Sequence, residues 1–110
     1  LGNYQDALIY YNKSLIIKKK YEDRLFQGTS YGQIGKIFLL QSNYSKAIQN
    51  LNCSVEIFKD FGQSFHQGIS TLIVTEAYIE TGQFDIANQL IEDANVYNSL
   101  EDPPSYTEFY

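Results

Sequence analysis

Apolar residues along this chain recur at helical rather than alternating spacing. In the first stretch they are Tyr4, Ala7, Leu8, Tyr11 and Leu15, and in the next Tyr31, Ile34 and Phe38. Intervals of three and four stack such residues on one face of a helix and scatter them over both faces of a strand. The stripes break where Gly and polar residues gather. Gln41-Ser42-Asn43 and Thr81-Gly82-Gln83 read as tight turns, and Glu22-Asp23 and Phe61-Gly62-Gln63 as looser ones. The pattern predicts an all-α chain of five helices, over about 4–20, 25–41, 44–60, 64–81 and 84–99.

The stripes also repeat. Tyr4, Tyr44 and Phe84 are spaced by 40 residues, as are Ala7, Ala47 and Ala87. The same offset joins Ser14 to Ser54 and Ala94, Ile17 to Ile57 and Tyr97, Gly28 to Gly68, and Gly2 to Ser42 and Gly82. Residues 1–40 and 41–80 share ten identities, among them Asn3, Asn12, Lys19, Gln27 and Ser30 with their partners. A fixed period of this length is the signature of a stacked repeat, here with two helices per period. Ala7, Ala47 and Ala87 are expected to let each helix approach its partner's backbone, with Tyr4, Tyr44 and Phe84 filling the wedge beside them. A large side chain at position 47 is expected to overpack that contact.

These residues resemble the tetratricopeptide repeat, whose first helix carries an aromatic, then Leu-Gly, then Tyr, and whose second carries Ala followed four residues on by an aromatic. Tyr31, Ile34, Gly35 and Phe38 match the first helix; Tyr44, Ala47 and Leu51 match the second, and Ala7 with Tyr11 and Ala87 with Ile91 repeat it. The likeness runs from residue 1 to about 100. It implies a right-handed solenoid of antiparallel helix pairs, an α–α superhelix. Thr71, Val74 and Thr75 depart from it where an aromatic, Leu and Gly are usual. The period of 40 also exceeds the usual length of about 34, and is similar to the subgroup found in kinesin light chains, Pins-type adaptors and bacterial sensor kinases and regulators. Longer helices imply a deeper, wider groove.

In this register residues 1–20 are the second helix of one repeat, 24–60 and 64–100 are full repeats, and 101–110 are an inter-repeat loop and the start of a further helix. A repeat buries its apolar face only against neighbours. Further repeats are therefore expected on both sides, and the absence of an initiator Met predicts a natural protein that begins upstream.

Composition narrows the function by exclusion. A net charge of −5 offers phosphate backbones no attractive field, and Lys18-Lys19-Lys20 lacks interleaved aromatic partners, so nucleic acid is not an expected partner. The last turn of a helix favours such cations without any ligand. Apolar runs such as Ile37 to Leu40 fall far short of a membrane span. The single Cys53 lies in an apolar-periodic segment, where it reads as a packed thiol in a reducing compartment, the cytoplasm. Asn12-Lys13-Ser14 and Asn52-Cys53-Ser54 match a glycosylation pattern but echo one repeat position, and Asn43-Tyr44-Ser45 is the third match.

Candidate chemistry is sparse. His66 stands alone near a helix start, Cys53 has no base in helical register, and no HExxH, GxSxG or P-loop spacing occurs. Glu76 and Glu80 share a helix face, but a metal would need oxygen ligands from a second element. No catalysis, metal or cofactor is expected. Pro103-Pro104-Ser105-Tyr106 matches the PPxY pattern read by WW domains and also falls where inter-repeat punctuation belongs.

The resemblance points instead to a protein or peptide partner held in the concave groove that first helices line. Counting from the motif, the inward stripe is Thr29, Gly32, Lys36 and Leu39 on one first helix and Ile69, Leu72, Glu76 and Ile79 on the next. Lys36 and Glu76 occupy equivalent positions and suit polar groups of a ligand, with Ile69 and Leu72 as an apolar floor. Two other uses are open: the charged pair can bridge each other, and the apolar residues can pack against a further repeat of the parent chain. The expected role is an interaction scaffold, with a regulatory module of a larger signalling protein and a structural, self-associating array as alternatives.

Overall fold

The computed structural model describes residues 2–100. It contains the five expected helices: α1 (Gly2–Lys20), α2 (Arg24–Leu40), α3 (Tyr44–Asp60), α4 (Ser64–Glu80) and α5 (Phe84–Leu100). The expected loop over 101–110, with its PPxY pattern, lies outside the described residues. Each helix packs on the next, as short connections dictate. The result is an all-α stack of antiparallel helix pairs.

All four turns have one geometry, which corrects the division into tight and loose. Asn43 N–H donates to the Phe38 carbonyl (2.8 Å) and Ser42 N–H to that of Leu39 (2.9 Å), the paired bonds that close a helix end through a left-handed residue. The same pair recurs at Glu22-Asp23, Gly62-Gln63 and Gly82-Gln83. The left-handed residues are Glu22 (φ 57°), Ser42 (φ 61°), Gly62 (φ 65°) and Gly82 (φ 77°). The first two therefore carry a Cβ in a conformation that disfavours one, and the last two do not. On the far side of the first two turns Asp23 and Asn43 cap the next helix, their side chains accepting from the N–H of Phe26 and Lys46 (3.4 Å each), whereas Gln63 makes no side-chain cap.

The core lies where α2, α3, α4 and α5 meet. Ala47 and Leu51 of α3 and Val74 of α4 are fully enclosed, with Phe38, Leu39, Ile48, Ile73, Tyr78 and Leu90 packed around them. Small residues set the spacing. A Cβ on Gly35 would stand 2.5 Å from Leu51 Cγ, and one on Gly28 would stand 2.8 Å from Ile57 Cγ2, so α2 lies against α3 at a distance that only glycine permits. Between α3 and α4 the buried hydroxyls of Ser54 and Ser70 hydrogen-bond at 3.0 Å. Each satisfies the other in a place without water.

Equivalent positions differ in burial by how many neighbours their helix has. Ile57 is 3% exposed beneath α2, whereas Ile17, one period earlier, is 56% exposed. Leu51 is 0% exposed between α2 and α4, and Ile91, one period later, is 42% exposed. Two expectations are corrected on the same grounds. Tyr4 and Tyr44 are half-buried, but Phe84 is exposed, since among the described residues no helix follows α5 as α2 follows α1 and α4 follows α3. Cys53 is an exposed thiol rather than a packed one. The inward positions of α3 are Ala47, Leu51, Ser54 and Phe58, and residue 53 points away from that stripe.

Candidate functional site

The two first helices, α2 and α4, touch each other directly, whereas the second helices α1, α3 and α5 do not pack on one another. A stack with one close side and one splayed side curves toward the close side. The inner face is therefore built by α2 and α4.

Of the predicted stripe, Thr29 and Lys36 on α2 and Ile69, Leu72, Glu76 and Ile79 on α4 are exposed. Ile69, Leu72 and Ile79 fall at intervals of three and seven, so they form a single apolar line along α4 interrupted only by Glu76. Leu39 behaves differently: half-buried, it packs against the Ala47–Leu51–Val74 cluster and belongs to the core. Gly32 is half-buried over the Ser54 and Ser70 hydroxyls, and a Cβ there would lie 3.1 Å from Ser54 Oγ. It lets α2 lie close over that serine pair.

Lys36 and Glu76 do not bridge. Among the described residues the one ion pair is Arg24–Asp60 (3.5 Å), on the surface. Both charged groups of the inner face therefore stand in solvent, available to a third party. Two exposed residues extend the face beyond the predicted set: Phe65, four before Ile69, and Leu40, four after Lys36. Counting four back from Ile69 and four on from Lys36 finds both.

His66 is exposed and spends its ring on packing, 5.2 Å from the Phe58 ring and 5.6 Å from that of Phe65. One period earlier the same two positions hold Lys18 and Phe26, with the ammonium 5.5 Å from the ring centre. The two positions stay in contact although their side chains differ. Among the described residues no cluster of His, Cys, Asp and Glu is placed to hold a metal ion, and no helix is long and apolar enough to cross a membrane.

The sequence profile of the tetratricopeptide repeat matches residues 1–60. No curated protein and no solved structure matches the chain. Tetratricopeptide repeats form a non-catalytic fold and mediate protein–protein interaction. Because that profile spans more than half of the sequence, over helices that pair and turn as the motif requires, the chain belongs to the tetratricopeptide repeat family.

Proposed function

We propose that the inner face of α2 and α4 is a scaffold for a segment of a partner protein. Ile69, Leu72 and Ile79 take its apolar side chains, Lys36 and Glu76 take its charged groups, and the exposed Thr29 offers a hydroxyl beside them. The carrying observation is the exposed apolar line on α4: these side chains lie in water on the concave side, outside the core that holds the fold together. The 40-residue period supports a place in the long-period subgroup that resembles kinesin light chains and bacterial regulators. An exposed lone thiol at Cys53 suits a reducing cytoplasm. The bare faces at Ile17 and Ile91 support contacts with further repeats of the parent chain, with 24–60 and 64–100 as its complete units.

Peptides selected from a random displayed library on the 110-residue chain test the reading. Their affinity for Leu72→Asp and for Lys36→Glu is expected to fall by about tenfold or more, with the melting temperature kept, since neither residue supports the core. Peptides that bind both variants as they bind the parent would place the site elsewhere.

A further inference from the structure

A second concavity lies on the opposite side of the molecule. Because α1 and α3 do not pack on each other, they leave an open groove of about 600 Å³ above the turn between α2 and α3. Its walls hold Leu8, Ile9 and Ile16 of α1, and its charged side chains are Lys13 of α1 and Lys46 of α3. No carboxylate lines it, in a chain whose net charge is −5. Ile9 and Ile16 are each more than half exposed. The Lys46 ammonium is held 5.4 Å from the centre of the Phe38 ring, which fixes it at the groove's edge.

The repeat supplies an internal control. One period on, between α3 and α5, the scaffold is the same and the residues at the corresponding places are Gln49 for Ile9, Cys53 for Lys13, Glu56 for Ile16 and Ile86 for Lys46. The scaffold therefore requires neither the isoleucines nor the lysines. Asn12 and Asn43 also line the groove and are engaged with the backbone, the first donating to the Leu8 carbonyl (2.8 Å) and the second capping α3. Ionic recognition falls to the two lysines.

We infer that this outer groove binds an acidic peptide segment in which apolar side chains flank a carboxylate. Ile9 and Ile16 are two helical turns apart, about 10 Å, and Lys13 lies between them on the same face. An apolar pair then seats on the isoleucines while the intervening carboxylate meets Lys13, and a second carboxylate reaches Lys46 across the groove. Both partners of each contact are complementary in charge, which favours capture of acidic chains over others. The site is separate from the inner face and stands or falls without it.

Fluorescence anisotropy with a labelled amphipathic peptide of Glu, Leu and Ala, about four helical turns long, tests the inference, beside a counterpart with Lys for every Glu. The acidic peptide is expected to bind the 110-residue chain and the basic one to bind at least about tenfold more weakly. Lys13→Glu with Lys46→Glu, and separately Ile16→Glu, are each expected to weaken the acidic peptide by about tenfold. Ile16→Glu installs the residue that the next repeat carries at this place, so helical circular dichroism and melting should not change. Leu72→Asp should leave this binding intact. Equal binding of both peptides, indifference to the groove variants, or full displacement by inorganic phosphate would overturn the assignment. Vesicles rich in phosphatidylserine that bind with the same dependence on Lys13 and Lys46 but not on Ile16 would also overturn it, in favour of a simple anion surface.

Discussion

Gly35 shows how little room separates the layers. Its missing Cβ would fall 2.5 Å from Leu51 Cγ and 3.1 Å from the Leu51 backbone nitrogen, and a backbone atom cannot turn aside as a side-chain tip can. Gly35→Ala is expected to destabilise the chain by about 1–3 kcal/mol through overpacking, in spite of alanine's better helix propensity. Chemical denaturation would measure it. An unchanged or raised midpoint would mean that α2 can retreat from α3 without loss. At this scale the sequence was partly legible. Gly35 was visible as part of the repeat motif, but Cys53 was misread because an apolar-looking neighbourhood does not say which side of the helix a thiol takes. Exposure at 53 follows from the angular position of that residue relative to Leu51 and Ser54, and the identical place one period earlier holds Lys13. Comparing the two would have exposed the error.

Helices and turns were the most legible features, since the stripe and its interruptions are local. The predicted ends fall within two residues of the observed ones. The turns were harder: Ser42 reads as tight and Gly62 as loose although both take the same left-handed form, which Gly fills at 62 and 82 and a residue with a Cβ fills at Glu22 and Ser42. That difference carries a prediction. Glu22 has a Cβ in a conformation that disfavours one, its side chain makes no hydrogen bond, and the same turn works with Gly two and three helices later. Glu22→Gly is therefore expected to stabilise by about 0.5–1 kcal/mol, the left-handed strain outweighing the extra entropy glycine gains when unfolded. Thermal melts of the single variant would show a rise of a few degrees for a chain of this size. A fall would mean that Glu22 contributes charge effects larger than its strain.

At the scale of the molecule, stability is expected to follow the number of neighbours each helix has. α3 sits between α2 and α4, while α1 and α5 each pack on one helix among those described. Native-state hydrogen exchange should find the slow amides in α2, α3 and α4, which have two or three neighbours each, and the fastest in α1 and α5, as in a one-dimensional array whose ends fray. Uniform protection from α1 to α5 would contradict that order. The inner face was legible in the sequence because it follows from helical phase once the motif is aligned, down to Leu39, whose half-burial the phase alone did not give. The outer groove was not, since it depends on two helices that are 40 residues apart in sequence failing to touch, and no local pattern reports a gap.

Each of α2 to α5 is 17 residues long, and each turn has the same three-residue form. With rod length and hinge fixed in this way, the curvature of the array is left to the volumes lodged between rods. Glycine at 28, 32 and 35 draws α2 inward, whereas one period later those places hold Gly68, Leu72 and Thr75. The seam between rods is thus unevenly filled along the chain. A change of a few methyl groups in that seam alters the bend of the whole molecule. It would thereby change the distance between Lys36 and Glu76, without touching either residue.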